Sequence, residues 1–277
     1  AHLVNRKSSE AYYLSILLAV LAGLRYGTGT DFFSYLYTWH DIRPIYTIFS
    51  GRPLGYDYIE YGFTLFASVL KVFTSNEIVF FMAMAWGSMW STYKGIKKFG
   101  SIYLIGGLYV YFMIFYVPYV YNGMRQAISM GIFIYSMHEI ISQRFTRVLF
   151  LAFIAMSFHS SGIFILAAYF VNKIKIKLNY FLIGGFILLL IFIELMPLSL
   201  IFQTLGLKLY YLEVLTRPTS IFQLVTRSVV AFFLLIGYNI YVKKSVNGDV
   251  FSSLLKIYFF GLFVYFYFSD INVFASR

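Results

Sequence analysis

This sequence predicts an all-α, polytopic transmembrane fold, on three observations. Of its 277 residues, 60% are hydrophobic and only 12% charged, with a mean hydropathy of +0.76. A soluble domain is about a quarter charged and about half apolar. Apolar runs of about 17–25 residues recur along the whole chain, the length that crosses a bilayer as a helix. Lys and Arg sit mostly in the short segments between those runs, where they report orientation. No internal repeat and no Pro- or Ser-rich linker divides the chain, so residues 1–277 read as a single membrane domain. Both ends read as trimmed, and the opening "AHLVNRKSSE" reads as a loop ahead of the first helix.

The elements follow in order. Ala11–Leu24 is a short span with room to extend in either direction. The stretch from Arg25 to Asp57 is an extracytoplasmic segment. Tyr58–Phe73 is apolar but carries Glu60, Gly62 and Lys71, which suits a re-entrant or interfacial helix. Glu77–Tyr93, Ile102–Val117 and Gly123–Ile141 are spans, with "PYVYN" between the last two as an outer loop. Phe145–Val171 is ambiguous. Leu178–Leu195, Thr219–Val242 and Ser253–Phe268 are spans, with a second outer loop at about 196–218.

Charge parity addresses the ambiguous run. The clusters Arg6/Lys7, Lys94/Lys97/Lys98, Arg144/Arg147, Lys173/Lys175/Lys177 and Lys243/Lys244 share the cytoplasmic side only if Phe145–Val171 enters the membrane and returns. Its arms, Phe145–Phe158 and Ser161–Val171, measure about 21 Å and about 16 Å as helix. Each is too short for about 30 Å of hydrocarbon. Together they suit a re-entrant hairpin tipped by "HSSG"; a single straight span is the alternative. With the hairpin, twelve of the 22 Lys/Arg lie inside, eight lie outside, and Arg227 and Lys256 lie within spans.

Several function classes drop out. A net charge of +11 would suggest nucleic acid in a soluble protein, but here it follows loop placement, and no nucleic-acid partner is expected. The absence of cysteine rules out disulfide and thiolate chemistry. There is no His/Asp/Glu cluster at ligand spacing and no P-loop or dinucleotide fingerprint, so neither metal nor cofactor is expected.

The candidate residues collect on the outer side. In "LRYGTGTDFFSYL", Arg25 ends a helix and Asp31 follows a Gly/Thr turn. They read either as a snorkelling arginine with a turn-capping aspartate or as a ligand site approached by glycine backbone. In "YNGMRQAISM", Arg125 and Gln126 open a helix whose positive end already favours an anion; a phosphate suits the guanidinium fork, and snorkelling is again the alternative. Arg227 lies about two turns into a span, where an arginine needs a partner or water. Arg217 precedes Pro218 in the second outer loop, and Arg277 follows Ser276 at the outer side. His138, beside Glu139, reads as a solvated pair. His159 in "IAMSFHSSGIFIL" reads either as a neutral imidazole holding the hairpin tip or as a base or donor. Its neighbouring serines are poorly placed to pair with it as protease nucleophiles.

Three islands in order, "LAGLRYGTGTDFFSY", "YNGMRQAISMGIFIYS" and "LAFIAMSFHSSGIFIL", together with a late Ser-Arg pair in "FASR", resemble the EpsG-like family of Wzy-type polysaccharide polymerases. The resemblance covers about Ala11 to Arg277. It implies a GT-C-like helical enzyme of the bacterial inner membrane, multi-pass, with its active site facing the extracytoplasmic side. Its donor and acceptor would be oligosaccharide repeat units on undecaprenyl pyrophosphate, and its other partners membrane lipids and a chain-length regulator. The family pattern carries Arg25, Asp31, Arg125, Gln126, His159 and Arg277, to which topology adds Arg217 and Arg227. Arginines would stabilise the pyrophosphate leaving group, and His159 or Asp31 would act as base. A flippase of lipid-linked sugars would need the cations but no base, and an O-antigen-ligase-like transferase would share both.

Overall fold

The computed structural model describes residues 2–50, 54–55, 59–195, 221–242 and 248–267. It is 86% helical, with no strand among the described residues. The chain divides into two compact units, 1–169 and 170–277.

The first unit opens with α1 (His2–Gly23). The segment expected as a leading loop is therefore its first turns, because Arg6 through Glu10 are good helix formers or tolerated near a helix start. The segment expected as an outer loop after Arg25 contains α2 (Phe32–Asp41) and a 3-10 turn at Ile45–Ser50. Its buried Phe32, Tyr35 and Trp39 fall on one face of α2 and join a core with Phe63, Phe80 and Phe81. Next come α3 (Tyr61–Phe73), only 13 residues long, and α4 (Glu77–Lys97), capped by the Asn76 side chain on the Ile78 amide.

Next is a 22-residue apolar helix, Ser101–Asn122. It runs as α5 (Leu104–Tyr111) and then as a π-helix through Phe112–Asn122. "PYVYN", expected as a loop, is thus helical. Pro118 cannot donate a backbone hydrogen bond, and the wider π turn carries the chain past it. The hydroxyls of Tyr116 and Tyr121 donate to the Leu18 and Leu21 carbonyls and fasten this turn to α1.

Helix α6 (Met124–Ile141) packs along α4 through small residues. Gly87 faces Ile128, Gly95 faces the Tyr135 backbone, and Gly131 leaves no room for a Cβ beside Ser88 and Ser91. The Ser88 hydroxyl also donates to the Ala127 carbonyl at 3.0 Å. Small residues at positions 87, 91 and 95 let two backbones approach closely, the usual basis of helix packing in lipid. Paired residues rise together along α4 and α6 (88 with 127, 98 with 139), so these helices run parallel. Helix α1 runs against α4, since Ser8 meets Tyr93 while Gly23 meets Met82. Arg25, Asn122 and Arg125 therefore share one end of the unit, while Lys98 and Glu139 mark the other.

Helix α7 (Phe145–Phe158) returns along α6 to the Arg25 end and stops at His159. A 3-10 turn, Ser160–Ile163, leads into α8 (Phe164–Lys173). The rings of Phe145 and Tyr169 lie 5.2 Å apart. In a straight helix those residues would be about 36 Å apart, so the chain doubles back at "HSSG". Gly162 sits against the Ala155–Met156 backbone with no space for a Cβ, which closes the turn.

The second unit holds α9 (Leu178–Leu195), α10 (Ile221–Gly237, continued as a π-helix through Tyr238–Val242) and α11 (Gly248–Tyr267). An apolar groove of about 510 Å³ runs between α9 and α11, lined by Gly184, Gly185, Leu188, Phe192, Phe263 and Tyr267. By length and composition, Ser101–Asn122 and Gly248–Tyr267 are long and apolar enough to cross a membrane. Large apolar side chains stay exposed along α9, among them Ile183, Phe186, Ile187 and Leu190. The segment expected as the second outer loop, with Arg217, and the C-terminal Arg277 lie outside the described residues, as do Lys243 and Lys244.

Candidate functional site

The Arg25 end is assembled by three junctions. The first joins the "RYGTGTD" loop to "YNG". Gly29 has φ +103°, a conformation side chains other than glycine rarely adopt, and a Cβ there would strike Tyr121 and Asn122. The next amide, Thr30, donates to Asn122 Oδ1 at 2.9 Å. The second junction is Arg125 to Glu60, which leads into α3. The third is Gly62 in the first turn of α3, packed so closely on Ser157 that a Cβ would not fit. The rings of Phe66 and Phe158 meet at a tilt, 6.2 Å apart. Regions more than 90 residues apart in sequence thus meet at one end of the unit.

Arg25 is 7% exposed. Its Nη1 donates to the carbonyls of Ala22 (3.0 Å) and Val120 (3.2 Å). Nε and Nη2 are buried with no acceptor, and no carboxylate pairs with it among the described residues. Three rings surround the guanidinium, with Phe81 at 4.9 Å, Tyr121 at 5.1 Å and Phe32 at 6.0 Å. Burial lowers its pKa to about 10, leaving it charged at neutral pH. Ring contacts return about 0.5–2 kcal/mol each, whereas desolvating a cation costs several kcal/mol. The two idle donors are what an anion would satisfy.

Arg125, half-buried in the first turn of α6, ion-pairs with Glu60. Its guanidinium lies 5.8 Å from the Phe63 ring and 6.0 Å from the Tyr35 ring. Gln126 is half-buried beside Arg125 and lies near Gly123. Asp31 precedes α2 without capping it and accepts from the Thr30 hydroxyl at 3.2 Å.

His159 is held by its own turn. Its Nδ1 accepts the Ser161 amide at 3.1 Å and lies 2.8 Å from Ser161 Oγ. The imidazole thus caps the 3-10 turn. In the neutral ring this leaves Nδ1 as the engaged lone pair and Nε2 as the N–H.

Arg227 belongs to the second unit, where its guanidinium lies 3.6 Å from the centroid of the Tyr265 ring. Arg25, Asp31, Arg125 and Gln126 are brought together at one end of the first unit, with His159 two residues from the α3–α7 contact. Sequence reasoning missed Glu60 as Arg125's partner and missed Tyr35, Tyr121 and Asn122. Tyr35 stood within the first island and Tyr121–Asn122 opened the second; Glu60 stood out as a charge in an apolar run, but nothing local paired it with Arg125. Among the described residues no group of three or more His, Asp or Glu side chains is placed to hold a metal ion.

The opposite end is also a correction. Glu139, expected in a solvated pair with His138, is 5% exposed. It binds Lys98 at 3.0 Å, Arg144 at 3.3 Å and Arg147 at 3.4 Å. These three cations arrive from the ends of α4 and α7, so the carboxylate is a tie between helices rather than a surface group.

The model of the EpsG family matches residues 11–277, nearly the whole chain. The chain therefore belongs to the EpsG family, a family of Wzy-like polysaccharide polymerases. Membrane proteins of polysaccharide biosynthesis make up this class. Neither the curated proteins nor the solved structures contain a match to the chain.

Proposed function

Taking membership of a polysaccharide-polymerase family as premise, we propose that this protein joins oligosaccharide repeat units carried on undecaprenyl pyrophosphate. The observation that carries the reading is Arg25, a buried cation with two idle donors and, among the described residues, no carboxylate partner. In the reaction, a hydroxyl of one lipid-linked unit attacks the anomeric carbon of the chain on another. The bond from that carbon to the pyrophosphate oxygen breaks, and the leaving group takes the electron pair. A leaving group that is already a multiply charged anion needs cations more than a general acid. Arg25 and Arg125 meet it with permanent charge and bidentate geometry. Gln126 adds a neutral donor, and His159 offers Nε2–H. The hydroxyl's proton passes to a side chain at this end, the candidates being Asp31, His159 and Glu60. No step calls for a metal or a cofactor. Arg217, Arg227 and Arg277 are proposed as further contacts to the anionic substrate.

The Arg25 end is proposed as the extracytoplasmic one, in a multi-pass GT-C-like enzyme of the bacterial cytoplasmic membrane. Support comes from the cations gathered at the Glu139 end, where the positive-inside rule places them. The doubling back at "HSSG" supports a re-entrant hairpin that carries His159. Membrane lipids and a chain-length regulator are the remaining proposed partners. A cysteine placed at Lys175, in a chain with none of its own, tests orientation: labelling only from the cytoplasmic side is expected, and labelling from outside contradicts the hairpin.

The activity test uses purified protein in vesicles with a pyrophosphate-linked repeat-unit lipid. Products longer than one unit are expected. Lipid that crosses the bilayer while product stays at one unit would overturn the polymerase reading in favour of transport.

A further inference from the structure

We propose that Glu60 is the proton acceptor of the reaction, held by Arg125 in the empty protein and released when the donor's pyrophosphate draws that arginine away. The inference rests on the polymerase reading above and names the group that this reading leaves open.

Four observations carry it. Glu60 stands at the N-cap of α3, where Ser, Thr, Asp or Asn is the usual choice, and its side chain makes no capping bond. It reaches instead across 65 positions of sequence to Arg125. Its carboxylate is about a quarter exposed, so a substrate has access to it. Gly62, two residues on, is packed against Ser157, two residues before His159; the α3 start and the hairpin tip are thus fixed together, and Glu60 cannot drift from the site. Finally, the rivals lack this coupling. The Nδ1 lone pair of His159 is engaged by the Ser161 amide, and among the described residues no arginine pairs with Asp31.

Arg125 has one fork, in the first turn of α6 where the helix end adds positive potential. It serves the Glu60 carboxylate or a phosphate. A carboxylate whose oxygens are engaged by a guanidinium is a poor proton acceptor; once the pyrophosphate takes the fork, those lone pairs are available. The acceptor hydroxyl oxygen then bonds to the anomeric carbon, its proton passes to a Glu60 oxygen, and the pyrophosphate departs with its electrons. Donor binding thereby arms the base, which discourages proton abstraction in an empty site.

The test uses the full chain in vesicles, comparing wild type with Glu60→Gln and Glu60→Asp. Two readouts are needed: turnover of a pyrophosphate-linked repeat-unit lipid, and binding of polyprenyl pyrophosphate followed by the shift in unfolding midpoint. Glu60→Gln keeps an oxygen for Arg125 but cannot accept the proton. The expected result is a kcat lower by about 10²-fold or more with donor binding equal to wild type or tighter, since the competing charge is gone. Glu60→Asp is expected to retain measurable turnover. Loss of turnover and donor binding together in Glu60→Gln would make Glu60 a support for Arg125 and overturn the proposal. Wild-type turnover in Glu60→Gln would overturn it while leaving the polymerase reading intact. A wild-type protein that binds donor but makes no polymer would remove both.

Discussion

The two ends of the first unit treat positive charge in opposite ways. At one end three cations converge on Glu139, a nearly buried carboxylate. At the other, Arg25 is buried among aromatic rings with no carboxylate partner among the described residues, and Arg125 is ion-paired with Glu60. The same residue types tie helices together in the first setting and, on the proposed reading, meet a ligand in the second. What separates them is whether the fold itself supplies the counter-charge. A buried ion pair missing one member is strongly unfavourable, and the proposed function supplies the counterpart of Arg25 from the substrate.

That contrast is open to a double dissociation. The largest expected effect is on activity. Arg25→Met keeps much of the apolar bulk and removes the charge; polymer formation falls by about 10²–10³-fold, as for loss of one transition-state-stabilising donor group, with the unfolding midpoint equal to or above wild type. Glu139→Gln does the reverse. It lowers stability by roughly 1–3 kcal/mol, read as a lower unfolding midpoint in detergent, and leaves turnover per folded molecule unchanged. If both variants lose stability alike, or both lose activity alike, the two ends do not differ in the way described.

Gly62→Ala sharpens the Arg25 end of that comparison. A Cβ there meets Ser157, and overpacking of this kind costs about 1–3 kcal/mol. Separating α3 from the hairpin tip is expected to lower kcat more than donor binding; equal loss in both would tie the contact to stability alone. The smallest effect is on pH dependence. Burial lowers the Arg25 pKa only to about 10, so the guanidinium stays charged throughout the physiological range. Pyrophosphate binding is therefore expected to be level from pH 7 to about 9. A fall in binding within that range would put a different group at the seat.

Much of the helical plan was legible in sequence. Leu178–Leu195 and Gly123–Ile141 were marked by apolar runs between charges, and the break at Phe158–His159 by arms too short to span. The misses have a common physical cause. "PYVYN" reads as a loop because proline and asparagine are turn residues locally, yet two tyrosine hydroxyls bonded to α1 hold it as a π-helix. Helix α2 sits in a stretch whose amphipathic face is aromatic rather than aliphatic. The site was legible only one residue at a time. Arg25 and Arg125 stood out because arginine is costly in an apolar chain. Whether either had a partner depended on contacts such as Glu60–Arg125 that no local pattern encodes.

The most direct test of the central claim is the unfolding midpoint of wild type and Arg25→Met with and without polyprenyl pyrophosphate. A ligand at 100 times its Kd stabilises the state it binds by about 2.7 kcal/mol. A clear upward shift in wild type, absent or strongly reduced in Arg25→Met, is the predicted result. Equal shifts in the two proteins would contradict it, since the anion would then bind without the Arg25 guanidinium.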